Sequence, residues 1–255
     1  MNRIAEAIRE CRGNGPAIVA YLTAGYPRRD SFLTTLRDVA EAADVVEIGV
    51  PFSDPMADGL TIQRSSRIAL EQGVSLDWLL ETLCDSGGGF KAPLLIMSYL
   101  NPLLAFGLDA LPAAARRAGI AGFIVPDLPL EECDDLKSAL AREGIALVQF
   151  VAPTTPAERA ARLCAASEGF VYALTMNGVT GKDAALPDAT LTHLARLKAG
   201  ARVPVCAGFG IRNAAQVQML APHVDGVIVG SALVEVLERG DDPRAFLCGL
   251  RVSPG

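Results

Sequence analysis

Eight short apolar segments alternate with segments of helical periodicity along the whole chain, and this alternation constrains the fold more than any other feature. The apolar segments predict strands, which we place at Ala17–Leu22, Val45–Val50, Pro93–Tyr99, Gly122–Val125, Ile145–Val151, Phe170–Leu174, Val203–Ala207 and Gly226–Val229. The connections are short, and neither a linker nor a low-complexity stretch interrupts them. Eight β-then-α units in 255 residues predict an α/β fold, a single (β/α)8 barrel over residues 1–255.

Several helices have predicted boundaries. A short amphipathic helix is expected before the first strand, and a short extra helix over Ser231–Glu238. The helix after the third strand is predicted to include Leu108 and Leu111 and to end at Gly119. Thr155 is predicted to cap the helix after the fifth strand.

Charge and composition exclude several classes of protein. The net charge of -6 argues against a surface for nucleic acid or anionic membrane. No apolar run approaches the roughly 18 residues that a membrane span needs, and the N-terminus does not resemble a secretory signal. The six cysteines form no C-x-x-C pair, which favours reduced thiols in the cytoplasm over disulfides or a metal site. No G-x-G-x-x-G follows the first strand, so a dinucleotide site is not expected.

An acidic side chain interrupts the second apolar segment. Glu47 lies within a β-branched run, where a carboxylate is costly unless it is paired, protonated or used in chemistry. Asp58 follows eleven residues later, in a loop that Pro51 and Pro55 stiffen. The two acids are a candidate pair for proton transfer. The alternative is that Glu47 pairs with an arginine and only stabilises the barrel.

The residues at the carboxyl ends of the strands limit the chemistry further, because active sites of such barrels lie there. Besides the two acids, the candidates are Tyr99, Asn101, Asp127, Tyr172, Thr175 and Thr180. His193 falls in a helix and His223 precedes the eighth strand, so a histidine metal site or triad is disfavoured. No lysine ends a strand, which disfavours a Schiff base unless Lys182 enters from its loop. Carboxylate acid–base catalysis without a metal remains.

Two glycine-containing segments predict a phosphate site. They are Gly208-Phe209-Gly210-Ile211 after the seventh strand and Val229-Gly230-Ser231-Ala232 after the eighth, where the extra helix begins. Glycines let backbone amides approach an anion, and the helix N-terminus adds its dipole. Gly181, after the sixth strand, is a candidate for one more amide. The alternative is that these glycines only serve tight turns.

Taken together, the motifs resemble the tryptophan synthase alpha subunit family. The resemblance is most specific over Glu47–Gly59 with Thr61–Gln63. It continues through Tyr21–Pro27, Met97–Pro102, Val125–Pro129, Gly178–Gly181, Gly208–Ile211 and Gly230–Ala232, in the same order along almost the whole chain.

The resemblance implies a lyase of tryptophan biosynthesis. Its reaction is the retro-aldol cleavage of indole-3-glycerol phosphate to indole and glyceraldehyde 3-phosphate, without cofactor or metal. Glu47 resembles the general acid–base residue that protonates indole C3 and moves the proton of the glycerol hydroxyl. Asp58 resembles the acid that holds the indole N–H. Tyr172 resembles a tyrosine beside the substrate, and Thr180 a threonine that reaches Asp58 when its loop closes.

The family pattern also implies further contacts. The remaining substrate-binding positions are Gly181, Phe209, Gly210, Gly230 and Ser231. The implied partner is a beta subunit, which receives the indole through a tunnel within an alpha2beta2 heterotetramer. The positions that resemble its contact surface are Asp54, Asn101 and Pro129.

Two departures from the family pattern and three alternative functions stay open at this point. Leu60 replaces the usual proline, which predicts a looser second loop, and Thr175-Met176-Asn177 differs mildly before Gly178. The first alternative is a stand-alone indole-3-glycerol phosphate lyase, and the second is a non-catalytic activating subunit. The third, suggested by the fold alone, is another phosphate-binding barrel such as a sugar-phosphate isomerase.

Overall fold

Eight parallel strands close into a barrel in the order of the chain. The computed structural model describes residues 2–11, 15–175, 187–208 and 210–251. The strands are β1 (Ala17–Thr23), β2 (Val45–Gly49), β3 (Leu94–Met97), β4 (Ile120–Ile124), β5 (Ala146–Val151), β6 (Val171–Leu174), β7 (Val205–Gly208) and β8 (Gly226–Val229). The predicted (β/α)8 barrel is confirmed, and all eight predicted strands are present with shifts of a few residues at their ends.

Helices surround the barrel and close one end of it. They are α1 (Arg3–Glu10), α2 (Phe32–Ala42), α3 (Leu60–Glu71), α4 (Leu76–Asp85), α5 (Leu100–Phe106), α6 (Leu111–Arg117), α7 (Asp134–Arg142), α8 (Ala157–Ala166), α9 (Asp188–Gly200), α10 (Ala214–Leu220), α11 (Ser231–Arg239) and α12 (Pro243–Leu250). Of the helices in the described part of the chain, none has the length and apolarity to cross a membrane.

The core has two layers, as a barrel with an outer ring of helices requires. The larger layer lies between the sheet and the helices, and the smaller one fills the barrel interior. Ile4 and Ile8 of α1 are fully buried in the interior layer. Ile4 packs so closely over Gly122 that a Cβ there would lie 2.8 Å from its Cδ1. Helix α1 therefore closes the amino-terminal end of the barrel and leaves the other end for a site.

Two helical predictions were wrong. The helix predicted through Leu108 is two helices, α5 and α6, because the carboxylate of Asp127 accepts a hydrogen bond (2.9 Å) from the amide of Leu100 and starts α5 early. Gly107 ends α5 with a φ of +99°, so Leu108 lies in the turn between the helices. Thr155 does not cap α8, because its hydroxyl accepts from the amide of Ala152 (3.0 Å) within the preceding turn.

Candidate active site

Glu47 lies on β2 with only 1% of its surface exposed. Neither carboxylate oxygen has a hydrogen-bond partner among the described residues. Within that part of the chain, the structural alternative of an arginine pair is therefore wrong. Burial, and second the nearby charge of Asp58, raise the pKa of Glu47 from 4.5 to about 8. At neutral pH Glu47 is a protonated acid that can give up its proton.

The loop between β2 and α3 places Asp58 through its own backbone turns. The amide of Asp58 donates to the carbonyl of Pro55 (3.0 Å), and its carbonyl accepts from the Gln63 side chain (2.8 Å). Gly59 then leads into α3 with extended dihedrals, φ -74° and ψ 164°. The loop is thereby tied to the first turn of α3, and the position of Asp58 depends on where that helix lies.

Tyr99 fixes the carboxylate of Asp58 from β3's side of the site. Its hydroxyl donates to Asp58 Oδ2 (3.2 Å) and accepts from the amide of Ala57 (2.9 Å). The ring stacks on Phe52, with centroids 5.1 Å apart. Partial burial raises the pKa of Asp58 from 3.8 to about 6, and the hydrogen bond from Tyr99 opposes this rise. Asp58 is therefore mostly ionised at neutral pH, whereas Glu47 is mostly protonated.

Two more tyrosines border the acids, one on β1 beside β2 and one on β6 at the opposite side of the barrel. Tyr172 on β6 stacks on Phe150, with centroids 4.5 Å apart, and Tyr21 on β1 pairs in register with Glu47. A Cβ on Gly49 would lie 2.1 Å from the Tyr21 hydroxyl, so the phenol rests directly on this glycine. Burial raises the pKa of both phenols well above 10, and the nearby acids add to the rise. Both tyrosines therefore remain neutral hydrogen-bonding groups.

Tyr21 is a site residue that the sequence reasoning missed. Its motif, Tyr21–Pro27, belongs to the family pattern, but the pattern alone gives the side chain no role. The available signal was the strand register, because Tyr21 and Glu47 occupy matching positions on adjacent strands. That register becomes visible only when the barrel is assembled.

The two predicted phosphate segments end neighbouring strands, since β7 and β8 pair directly. Gly210 has a φ of +82°, which favours glycine on conformational grounds alone. Gly230 differs, because its φ is negative and a Cβ there would meet nothing nearer than the Tyr21 side chain at 3.8 Å. Ser231 begins α11, and the amide of Leu233 already donates to the carbonyl of Gly230 (2.9 Å). The amides of Ser231 and Ala232 are therefore the ones that an anion at the start of this helix would meet. Among the described residues, no cluster of His, Cys, Asp and Glu side chains could hold a metal ion.

Comparison with known proteins assigns the family. The model of the tryptophan synthase alpha chain family matches residues 9–251. The tryptophan synthase alpha chain of Desulfovibrio desulfuricans is 42% identical over 251 residues, which cover 97% of this chain and 98% of that relative. That of Roseiflexus castenholzii is 43% identical over 242 residues, covering 94% and 93%.

Solved structures agree with the sequence matches. Tryptophan synthase from M. tuberculosis superposes with a TM-score of 0.86 at 34% identity, covering 98% of both chains. The alpha subunit from Legionella pneumophila gives a TM-score of 0.83 at 32% identity, covering 98% of this chain and 97% of that one.

The chain belongs to the tryptophan synthase alpha chain family. The resemblance seen in the sequence is thereby confirmed, and so is the activity that it implied. The enzyme is a lyase of tryptophan biosynthesis that acts on indole-3-glycerol phosphate.

The remaining predicted positions fall in two groups. Thr180, Gly181 and Phe209 lie outside the described residues, as do Met176 and Asn177 of the divergent loop. The three positions expected to contact a beta subunit, Asp54, Asn101 and Pro129, are all exposed and follow β2, β3 and β4. Because carboxyl ends of parallel strands share one end of a barrel, these positions lie on the same face as the acids.

Proposed function

We propose that Glu47 and Asp58 together cleave indole-3-glycerol phosphate, with Glu47 moving the protons and Asp58 holding the indole ring. The observation that carries this assignment is the pair of acids in opposite protonation states. Glu47 is buried without a partner in the described chain, with a pKa of about 8, and Asp58 has a pKa of about 6. Separated pKa values keep one carboxyl group protonated as the proton donor while the other stays ionised and can hold a cationic ring.

The proton of Glu47 goes to C3 of the indole ring, which leaves a positive charge on the ring and a carboxylate on Glu47. The glycerol hydroxyl next to the bond then gives its proton to that carboxylate. Its oxygen forms a carbonyl, the carbon–carbon bond breaks, and the bonding electrons return to the ring. Indole and glyceraldehyde 3-phosphate result, and Glu47 regains its proton.

Asp58 supports both steps as a carboxylate. Its carboxylate accepts a hydrogen bond from the indole N–H and stabilises the positive charge that develops on the ring when C3 is protonated. The hydrogen bond from Tyr99 holds the carboxylate in place and favours its ionised form. A buried site strengthens this attraction, because the effective dielectric constant is lower there than in water.

Substrate binding uses residues on several loops. The phosphate is assigned to Gly210, Gly230 and Ser231, with further contacts from Thr180, Gly181 and Phe209. The N-terminus of α11 supports an anion there through its dipole and its amides. Gly230 adds support, since the fold leaves room for a Cβ at this residue and the chain's own packing does not demand glycine. Tyr172 borders the indole.

We further propose a beta subunit as the partner, in an alpha2beta2 assembly in the cytoplasm, with the chain acting as one domain. Asp54, Asn101 and Pro129 form the contact surface in this assignment. The exposure of Met56 (86%) in the same loop as Asp54 supports it, because a large apolar side chain gains from being covered. The proposed contact surface lies at the same end of the barrel as the acids, so a partner bound there would be close to the site where indole is released.

The measurement that tests the assignment is indole release from indole-3-glycerol phosphate by the purified chain, with and without a beta subunit from the same source. Glu47→Gln should abolish release while the variant still binds the substrate in a calorimetric titration, because the phosphate site is separate. Asp58→Asn should lower turnover strongly. Glu41→Gln, at an exposed glutamate of α2, is the control and should keep the parent rate.

The outcomes separate the candidate functions. Slow release that rises steeply with the beta subunit supports the alpha-subunit assignment, and fast release that ignores it supports a stand-alone lyase. A lack of release under both conditions would contradict the roles proposed for Glu47 and Asp58 together. Parent turnover in Glu47→Gln would remove Glu47 from its proposed role, and unchanged turnover in Asp58→Asn would assign the indole N–H to another group.

A further inference from the structure

Glu235 forms a three-residue link that the proposed reaction does not use. It lies on α11, four residues after Ser231, and its carboxylate forms an ion pair with the guanidinium of Arg212. The same carboxylate accepts a long hydrogen bond (3.4 Å) from the hydroxyl of Thr61 on α3. Only 23% of the Glu235 side chain and 29% of the Arg212 side chain are exposed. Partial burial makes such a pair stronger than a fully exposed one.

The link joins the two halves of the active site. Arg212 follows Gly210 by two residues, on the loop assigned to the phosphate. Thr61 follows Asp58 by three residues, in the first turn of α3, which fixes the loop of Asp58. Glu235 itself belongs to the helix whose N-terminus is assigned to the phosphate. One side chain of α11 therefore contacts both the loop assigned to the phosphate, through Arg212, and helix α3, through Thr61.

A second ion pair ties the same two helices one turn further along. Arg64 on α3 forms an ion pair with Glu238 on α11. Together with the Thr61–Glu235 hydrogen bond, this gives two contacts between the helices, one helical turn apart. These two contacts give a shift at the N-terminus of α11 a physical route to α3. The contact at Glu235 also involves the phosphate loop, because Glu235 forms an ion pair with Arg212.

We propose that Glu235 is a positioning residue that couples occupancy of the phosphate site to the placement of Asp58. A dianion bound between the β7 loop and α11 draws these elements together, and the Arg212–Glu235–Thr61 link passes that arrangement to the start of α3. Binding energy from the non-reacting end of the substrate is then used to place a catalytic acid. This proposal rests on the proposed function, because it needs a phosphate at Gly210, Gly230 and Ser231.

The test separates the phosphate from the reacting part of the substrate. The full chain is given indole-3-glycerol, which lacks the phosphate, and indole release is measured with and without added inorganic phosphite as the dianion. The readout is the ratio of the two rates. In the parent protein phosphite should accelerate release, and in Glu235→Ala this ratio should fall about tenfold, within the range of coupling between sites.

Companion variants distinguish coupling from a merely structural role. Thr61→Val keeps the side-chain shape but removes the hydroxyl that donates to Glu235, and it should lower the ratio in the same direction. The double variant should lose no more than Glu235→Ala alone, because both changes break one link. Glu131→Ala removes another ion-paired glutamate, which contacts Arg159, and should keep the parent ratio. Loss of fold stability alone would lower both rates and leave the ratio unchanged.

The outcomes distinguish a failure of the coupling from a failure of the proposed function. A parent-like ratio in Glu235→Ala and Thr61→Val overturns the coupling. A parent chain that phosphite does not accelerate, yet releases indole from the phosphorylated substrate, also overturns it and leaves the proposed function intact. A parent chain that releases no indole from indole-3-glycerol phosphate overturns both. If Glu235→Ala does not fold, Thr61→Val alone gives the answer.

Discussion

The burial of Glu47 makes a specific prediction about stability and pH. Its carboxyl group is almost fully buried, with no partner in the described chain, and its pKa rises from 4.5 to about 8 on folding. Between these values the folded chain keeps a proton that the unfolded chain releases. The contribution of this group to stability is therefore fully present below pH 4.5 and is lost as the pH rises through 8.

The size of the effect follows from the two pKa values. Linkage between protonation and folding gives a loss of about 4 kcal/mol in the free energy of unfolding between pH 5 and pH 9. Glutamine has the shape of the protonated carboxyl group but does not ionise. Glu47→Gln should therefore gain about 4 kcal/mol relative to the parent protein over the same pH interval, although the proposed mechanism predicts that it is inactive.

The assay is urea unfolding of the parent and Glu47→Gln at a series of pH values, with the difference in unfolding free energy as the readout. Taking the difference cancels the other groups that titrate, except where they interact with Glu47. Glu41→Gln controls for the loss of a carboxylate at an exposed position of α2. A difference that stays constant from pH 5 to pH 9 would show that Glu47 is hydrated in the folded chain, and the argument from its burial would fail.

Two further predictions concern the loop of Asp58. Tyr99→Phe removes the hydrogen bond that lowers the pKa of Asp58, so the acidic limb of kcat/KM should move to higher pH; an unmoved limb, measured on the same substrate, would contradict the role of Tyr99. Leu60→Pro should stabilise the chain by about 0.4–1 kcal/mol in urea unfolding, because Leu60 is the first residue of α3 and Gly59 already has the extended dihedrals that proline requires before it. Destabilisation by this change would mean that the loop needs leucine for packing.

Most of the barrel could be predicted from the sequence, because each strand is a compact apolar run between clear helical segments. The prediction failed where a side chain some distance along the chain decides a boundary. The start of α5 depends on Asp127, which lies 27 residues after the amide of Leu100 that it caps. Thr155 is also a good capping residue by type, but its hydroxyl is used one turn earlier, by the amide of Ala152. Local sequence patterns do not record such competition.

The residues of the candidate active site also fall into those that the sequence predicts and those that only the assembled fold reveals. Glu47 could be found from the sequence as a candidate, because a carboxylate inside a β-branched run conflicts with local preference and such conflicts mark functional positions. Asp58 could be found because it follows eleven residues later in a proline-containing loop at the end of the same strand. Tyr21 could not, since its importance depends on the register of β1 against β2 and on the absence of a side chain at Gly49. The link through Glu235 was equally hidden, because Thr61 and Glu235 are 174 residues apart in the chain.

The burial that Glu47 requires explains why this acid lies on a strand rather than on a loop. A carboxyl group with a pKa of about 8 exists only while the surrounding packing keeps water away, and β2 supplies this with buried residues at all five of its positions. Asp58 needs the opposite, a partly open position where it stays ionised, and the loop after β2 provides it. One strand and its loop thus create two acids of different strength eleven residues apart. The proposed reaction uses that difference, because Glu47 must start with a proton to donate while Asp58 must stay ionised to hold the positively charged ring.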